Sequence, residues 1–328
     1  MSSPRPIVHI GYHKTASTWF QKNVYPHATS HRYVSRLLVQ QALLAPSALH
    51  FDAGAAREAL RSDLPAILCE EGLSGYIHNG GLNGCLSKDA AERIRATFPD
   101  ARIVMFVRAQ PAIVTACYRQ YVRGGGTHPV HRYLFPEDYV HGAAAKPWKA
   151  PRFSFDQFDY DVLVRHYRAL FGAEAVHVFP YEALLADRDG FMRRFAAALE
   201  LELDWDRVDH GRRNESWGAA RMGAARMLNR FTARSVSDKR LWLHLPFLYT
   251  ARGWALEQAG RLPERRLKPA DVLGRDTVAW IEDRFWASNR RLAEMVDLDL
   301  ARYRYPLDPP LSPAPRPRAG RWRRVLAQ

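Results

Sequence analysis

The chain alternates between short apolar runs and stretches in which apolar residues recur every three or four positions. Short apolar runs are typical of buried strands, and the three-to-four spacing is typical of amphipathic helices. The strand-like runs lie at 7–10, 66–69, 102–107 and 175–180. Helical spacing occurs at 19–24, 87–97, 111–122, 156–171 and 190–199. This alternation predicts a three-layer, doubly wound α/β fold around a central parallel sheet.

The pattern changes after Asp204, because helical spacing continues without further strand-like runs. Predicted helices follow at 217–231, 243–259 and 277–296. From Pro306 the chain becomes rich in Pro and then in Arg, which is typical of disorder. We therefore predict one domain over 1–305, made of an α/β core (1–204) and a helical portion (205–305), and a disordered tail over 306–328.

The segment 7–21, IVHIGYHKTASTWFQ, joins the first predicted strand to the first predicted helix. Gly11 permits a sharp exit from the strand, and Lys14 places a positive charge in the loop. Hydroxyl donors follow at the start of the helix. Because the first N–H groups of a helix have no partner within it, this loop predicts a phosphate cradle, although an ordinary strand-to-helix connection has the same order. The common P-loop ends in Gly-Lys-Ser/Thr, and the absence of that pattern here counts against a common P-loop.

The loop resembles the 5′-phosphosulfate loop of PAPS-dependent sulfotransferases, in which a Lys is followed by Ser/Thr, Gly, Thr, Thr and Trp. The matching residues in this chain are Lys14, Thr15, Ala16, Ser17, Thr18 and Trp19. Ala16 departs from the pattern, and its methyl group narrows the approach of the backbone to a phosphate. The resemblance implies a bacterial-type sulfotransferase with a P-loop-like fold, PAPS as the sulfuryl donor and no metal.

A second predicted strand-to-helix unit, 102–122, carries Arg108 at the end of its strand. A guanidinium in this position suits a second phosphate, although an Arg after a strand is common. With the first loop, it resembles the 3′-phosphate element of sulfotransferases, where a Ser follows the Arg eight residues later. Ala116 stands at that place. Thr115 or Tyr118 would be the substitute, but Thr115 lies about 100° around the helix from residue 116.

Two weaker elements extend the resemblance to about residue 216. Tyr181 and Glu182 begin a segment similar to the family's Tyr-Glu-Asp-Leu element. The segment 212–216 is similar to a short Asn-x-Ser element of bacterial members. There, Arg212 and Arg213 would close over the 3′-phosphate, or would form a solvated basic turn.

Two carboxylates, Glu70 and Glu71, come directly after the second predicted strand. Ligands of open parallel sheets bind beyond the carboxyl ends of strands, so these residues are candidates for a site. An acceptor hydroxyl needs a general base, which sulfotransferases supply as His or Glu. Glu71 is the first choice, with Glu70 and His13 as alternatives. Strand alternation predicts that Glu70 and Glu71 point to opposite faces of the sheet.

Composition adds a formal net charge of +14, which favours anionic partners. Only seven of the 48 basic residues are Lys, so a coding bias toward Arg explains the excess equally well. Three scattered cysteines predict neither a disulfide framework nor a metal site. The N-terminus resembles no signal peptide, and no apolar stretch is long enough to span a bilayer. These features predict a cytoplasmic protein, with peripheral membrane contact through the basic tail and no specific nucleic-acid partner.

The acceptor is predicted to be a hydroxyl of a carbohydrate or glycolipid. The prediction depends on the aromatic residues of the irregular segment 127–155 and on the strand-end Glu. Aromatic faces suit sugar rings, and they suit a phenol or a steroid equally. Two alternatives remain: an ATP- and Mg²⁺-dependent P-loop phosphotransferase, and a non-enzymatic protein that binds polyanions or membrane surfaces.

Overall fold

The computed structural model describes residues 5–140, 146, 148, 152–208, 217–232, 239–243, 245, 248–259, 267–296 and 298–318. Its strands are β1 (Ile7–Gly11), β2 (Arg32–Tyr33), β3 (Ala66–Cys69), β4 (Arg102–Val107) and β5 (Val176–Pro180). Its α-helices are α1 (Ser17–Asn23), α2 (Arg36–Val39), α3 (Ala53–Ala59), α4 (Cys85–Thr97), α5 (Gln110–Arg123), α6 (Val130–Leu134), α7 (Tyr160–Phe171), α8 (Tyr181–Ala186), α9 (Arg188–Leu199), α10 (Ala219–Leu228), α11 (Leu248–Ala259), α12 (Pro269–Leu273) and α13 (Arg275–Val296). None of the helices in these ranges is long and apolar enough to cross a membrane.

The strands of the described residues form one parallel sheet in the order β2-β3-β1-β4-β5. On β1, Val8 lies opposite Leu68 of β3 on one side and opposite Ile103 of β4 on the other. The chain thus extends the sheet first to one side of β1 and then to the other, so the carboxyl ends of β1 and β4 form a topological switch point. Helices flank the sheet, and the predicted α/β fold is confirmed. The sequence pattern missed β2, because two residues are too short for an apolar run.

The centre of the sheet is buried and rich in aromatic side chains. Every residue of β1, β3 and β4 is buried, as expected for parallel strands that helices cover. Phe20, Phe106 and Phe195 contact one another with ring centroids 5.0 to 6.0 Å apart. His9 stacks on Phe106 and shares a 2.7 Å hydrogen bond with the Tyr25 hydroxyl. Burial lowers the pKa of His9 to about 3, so its ring is neutral and acts as a core residue.

The chain divides into two compact units that are not consecutive stretches. The first unit contains Met1–Ala109, Ser154–Gly211 and Phe285–Asp308, and the second contains Gln110–Phe153, Arg212–Arg284 and Pro309–Gln328. The sequence pattern placed a single division near residue 205. Local spacing does not reveal which distant stretches pack together, so it could not show that the chain passes between the units several times.

Two local predictions differ from the structure. The first concerns the start of α4, which the helical spacing placed at residue 87. Gly84 is the cap residue instead, and the Ser87 hydroxyl lies within hydrogen-bonding distance of the carbonyls of Ser74 (2.9 Å) and Gly80 (3.1 Å). Ser87 therefore fixes the loop before the helix rather than the helix end.

The second concerns the tail, which the sequence predicted to be disordered from residue 306. Its described part reaches residue 318, and Arg316 forms ion pairs there with Glu137 and Asp138 of the second unit. The Arg316 guanidinium also lies 4.9 Å from the ring centroid of Phe135. The stretch up to residue 318 is held in place because the Arg316 guanidinium contacts two carboxylates and an aromatic ring. All three groups lie far from Arg316 in the sequence.

Candidate active site

The loop after β1 turns through unusual backbone conformations. Gly11 has φ +91°, which Gly adopts without strain. Lys14 (φ +63°) and Ala16 (φ +74°) adopt left-handed conformations that cost a side-chain-bearing residue about 1 kcal/mol or more. Ala16 is the cap residue of α1. This conformation gives a physical reason for the Gly at this position in the sulfotransferase pattern.

The hydroxyl groups of the loop differ in their surroundings. Thr15 is fully buried, and its hydroxyl donates to the Tyr12 carbonyl, so it holds the loop in shape. Ser17 is also buried, whereas Thr18 is exposed. Thr18 is therefore the one of these three hydroxyls that solvent reaches freely.

Arg108 at the end of β4 contacts the same loop. Its Nη1 donates to the Lys14 carbonyl at 3.0 Å, and its guanidinium lies 5.0 Å from the centroid of the Tyr181 ring. Lys14 follows β1 and Arg108 follows β4, and the sheet places these two strand ends side by side at the switch point. Both residues carry a positive charge, and Arg and Lys donors are groups that bind phosphates well.

Three further residues hold the turn that follows Arg108. The Glu182 carboxylate accepts from the Ala109 N–H (3.0 Å) and from the Tyr305 hydroxyl (2.9 Å). The Tyr160 hydroxyl donates to the Arg108 carbonyl at 2.7 Å. Burial, together with the nearby charge of Glu182, raises the pKa of Tyr305, which keeps it a hydrogen-bond donor. Tyr181 and Glu182 were selected from the sequence, whereas Tyr160 and Tyr305 carry no local signal.

The carboxylate of Glu70 is enclosed by hydrogen-bond donors. Arg36 binds it with two nitrogens, Nε at 2.6 Å and Nη2 at 3.2 Å. Gln40 and the Gly72 N–H donate to it at 2.7 and 2.8 Å. Since Glu70 is also 1% exposed, its carboxylate holds the turn after β3 together.

Glu71 is more accessible than Glu70. Its carboxylate receives the Arg36 Nη2 at 3.1 Å and the Gln21 amide at 3.4 Å, and its side chain is 15% exposed. It also lies against the first loop, because a Cβ placed on Gly11 would be 3.1 Å from the Glu71 Cβ. The expectation that the two carboxylates point to opposite faces is wrong. β3 ends at Cys69 and a 3₁₀ turn begins at Glu71, so strand alternation no longer applies and Arg36 reaches both carboxylates.

Two histidines lie near the Lys14 charge. The pKa of His13 is lowered to about 4, chiefly by burial and also by the charges of Lys14 and Arg36, against the opposing effect of Glu70. Burial likewise lowers the pKa of His78 to about 4, with smaller contributions from His13 and Lys14. Both rings are therefore neutral at physiological pH. His78 was not a sequence candidate, because nothing in its Gly- and Asn-rich loop shows that it returns to the first loop.

The other sequence candidates have less direct positions. Trp19 packs edge-on against Phe20, and the Arg188 guanidinium lies 5.4 Å from its ring centroid. Thr115 belongs to the second unit, is buried, and donates its hydroxyl to the Pro111 carbonyl of its own helix at 2.7 Å. Arg212 and Arg213 lie outside the described residues. Among the residues that are described, no group of three or more His, Cys, Asp and Glu side chains is placed to hold a metal ion.

The aromatic segment that suggested a sugar acceptor is partly a packing element. Tyr133, Leu134 and Phe135 are buried, and Phe135 contacts Trp280 within the second unit. Trp148 is exposed, with the Lys146 ammonium 5.9 Å from its ring centroid. Only part of the segment is therefore free to present aromatic faces to a ligand.

Two comparisons with known proteins found sulfotransferases that are similar to part of this chain. Residues 86–207 match the model of the sulfotransferase family, which confirms the resemblance inferred from the sequence. Among solved structures, a sulfotransferase from Alicyclobacillus acidocaldarius is similar, with a TM-score of 0.44 and 17% identity over 64% of this chain and 87% of that one. A comparison with curated proteins found no match. The family match includes Arg108 and Glu182 but begins after the Lys14 loop.

Proposed function

We propose that this chain is a sulfotransferase that moves the sulfuryl group of PAPS to an acceptor hydroxyl. The observation that carries the proposal is the hydrogen bond from Arg108 to the Lys14 carbonyl, which brings the loop after β1 and the end of β4 into contact at one edge of the sheet. The supporting signals come from different parts of the chain, since the loop motif spans 14–19 and the family match spans 86–207.

In this proposal, the first loop and Arg108 bind the phosphates of the donor. Lys14 neutralises the charge that develops on the bridging oxygen as the bond from sulfur to that oxygen breaks. The Thr18 hydroxyl and the backbone from Lys14 to Trp19 hold the 5′-phosphate in line for transfer. Arg108 binds a second phosphate. Tyr181, Glu182 and Tyr305 hold Arg108 and the turn after it in position.

The acceptor hydroxyl forms the new bond to sulfur and loses its proton to a general base. Glu71 is the best candidate for this base, because it is more accessible than Glu70 and lies against the first loop. Glu70 is less suitable, since four donors already occupy its oxygens. His13 remains an alternative, and His78 joins it, because both rings are neutral and able to accept a proton.

The remaining donor contacts have unequal support. Ala16 and Trp19 belong to the loop motif, and they are proposed to contact the PAPS donor as part of that motif. The single hydroxyl hydrogen of Thr115 already points to Pro111, so it has none to give to a phosphate oxygen without breaking that bond. Arg212 and Arg213 are proposed as a closing segment on the sequence resemblance alone.

The acceptor is proposed to be a hydroxyl of a carbohydrate or glycolipid, and the protein is proposed to act in the cytoplasm. The strand-end carboxylate and exposed aromatic residues such as Trp148 support a polar ring as acceptor. The burial of Tyr133 and Phe135 reduces that support. A screen of sugar, glycolipid, phenol and steroid alcohols with labelled PAPS identifies the acceptor class.

Isothermal titration of the full chain tests the proposed donor. We expect 3′,5′-ADP to bind in the micromolar range and ATP with Mg²⁺ to give no heat of binding. Lys14→Ala and Arg108→Ala should weaken 3′,5′-ADP binding. Lys22→Ala should not, because this exposed Lys lies on α1, the helix that follows the loop. Binding of ATP with Mg²⁺ and not of 3′,5′-ADP would overturn the proposal in favour of a phosphotransferase.

A further inference from the structure

The second unit exposes large apolar side chains on a strongly basic segment. Leu241, Trp242 and Leu243 are consecutive, and Trp242 is 64% and Leu243 57% exposed. Met227 of α10 and Trp254 of α11 are also exposed. We call residues 240–243 and Arg230 the Trp242 surface. Exposed apolar groups of this size, adjacent in the chain, are typical of interaction surfaces.

The backbone of the Trp242 surface is fixed from two sides. The Trp242 N–H donates to the Arg230 carbonyl at 2.8 Å, and the Arg240 N–H donates to the Thr127 hydroxyl at 2.7 Å. The Trp242 ring packs edge-on against Phe231, and the Arg230 guanidinium lies 4.5 Å from its centroid. Trp242 is thus held with much of its ring in solvent, rather than exposed by a frayed chain end.

The stretch of sequence that carries this surface is strongly one-sided in charge. Between Trp217 and Trp254 the sequence contains seven Arg or Lys residues and a single acidic residue, Asp238. Arg240 is exposed next to Leu241. A partner that matches this surface must therefore be anionic and must also accept Trp and Leu side chains.

We propose that the Trp242 surface binds the interface of an anionic lipid bilayer. Trp is favoured at the boundary between headgroups and acyl chains, Leu enters the acyl region, and Arg contacts the phosphates. A polyanion such as heparin would satisfy the Arg residues but would leave Trp242 and Leu243 in water. This contact is distinct from the basic tail, and it does not depend on the proposed sulfuryl transfer.

Co-sedimentation with vesicles tests the proposal on the full chain. One set of vesicles contains phosphatidylcholine alone, and the other an equimolar mixture with phosphatidylserine. The test variant is Trp242→Ser/Leu243→Ser. Its matched control is Leu37→Ser/Leu49→Ser, which removes two exposed apolar side chains from the first unit. Thermal unfolding by circular dichroism verifies that each variant is folded.

We expect the parent chain to bind the anionic vesicles and to bind the neutral ones far more weakly. The Trp242→Ser/Leu243→Ser variant should lose roughly tenfold or more in affinity, and the control should lose nothing. Arg240→Gln should lose roughly fivefold, whereas Arg193→Gln, which removes an exposed charge from the first unit, should lose less.

Three results would overturn the proposal. In the first, Arg321→Gln/Arg323→Gln/Arg324→Gln abolishes vesicle binding and Trp242→Ser/Leu243→Ser does not, which assigns the membrane contact to the tail. In the second, sedimentation velocity shows a dimer that Trp242→Ser/Leu243→Ser dissociates, which makes the surface an interface between two copies of the chain. Equal binding of the variant and the parent to anionic vesicles would also overturn it.

Discussion

The loop after β1 and the turn after β3 follow neighbouring strands of the sheet, yet they are built in different ways. The loop depends on its backbone, with positive φ angles at Lys14 and Ala16. The turn depends on side chains, because Arg36 joins the carboxylates of Glu70 and Glu71. In the proposed function, the loop binds the anionic donor and the turn removes the acceptor proton.

This difference predicts which substitutions each region tolerates. A loop shaped by its backbone should respond to Gly and Ala exchanges, and among its side chains Lys14 should have the largest effect on the chemistry. A turn shaped by a side-chain network should respond to loss of a charge, and one of its two carboxylates should affect stability more than activity. The following substitutions separate these cases.

Lys14→Ala should lower the turnover of labelled PAPS roughly a thousandfold, since loss of a preorganised charge at the leaving group costs about 4 kcal/mol. Lys22→Ala is the matched control and should leave turnover unchanged. Turnover of Lys14→Ala within tenfold of the parent would show that the loop does not carry the proposed chemistry.

Glu71→Gln should lower turnover about a hundredfold, because the variant cannot accept the acceptor proton. Its affinity for 3′,5′-ADP, measured by titration, should stay the same, since the substitution keeps the size of a side chain whose hydrogen bonds go to Arg36 and Gln21. Full activity of this variant would transfer the role of base to Glu70, His13 or His78, and His78→Gln then separates the last from the others.

Acid should lower the free energy of unfolding through His13 and His78, the two histidines near the Lys14 charge. The pKa of His13 and of His78 is about 4 in the folded chain and near 6.5 when unfolded, so the unfolded state binds more protons between these values. The free energy of unfolding should therefore fall as the pH falls from 6.5 to 4, by up to about 3 kcal/mol for each ring. Urea unfolding at pH 7 and pH 5 measures this. His13→Gln/His78→Gln should make the dependence shallower, and the remainder comes from other groups such as His9, whose pKa burial also lowers. An equally steep dependence in that variant would exclude both rings as its source.

Glu70→Gln should lower the free energy of unfolding by about 2 kcal/mol, because the charged hydrogen bonds from Arg36 lose their partner in a buried place. Glu71→Gln should cost less stability, since Glu71 is more exposed. Urea unfolding of the two variants compares them. If Glu71→Gln proves the more destabilising, the assignment of Glu70 as the structural carboxylate is wrong.

Ala16→Gly should raise the free energy of unfolding by about 1 kcal/mol or less, because Gly adopts the left-handed conformation without strain. Ala55→Gly in α3 is the control and should have the opposite sign, since Gly lowers helix stability. A loss of stability in Ala16→Gly would mean that the methyl group contributes packing that exceeds the backbone strain.

The sequence determined the local features of this protein. Apolar runs gave β1, β3, β4 and β5 within a residue or so, because strands buried on both faces need continuous apolar residues. The order of Lys14 and its neighbouring hydroxyls marked the loop, and Ala16 marked the departure whose backbone cost the structure then explained. These features could be inferred because each depends on residues that are adjacent in the chain.

Only the tertiary structure decided how these local features combine. Arg36 lies in a stretch with no motif, yet it binds carboxylates more than thirty residues away. Tyr305 follows the last long helix and reaches Glu182, and His78 returns to the Lys14 loop. The physical reason is that a hydrogen bond or an ion pair depends on distance in space, which the spacing of residues along one chain does not record.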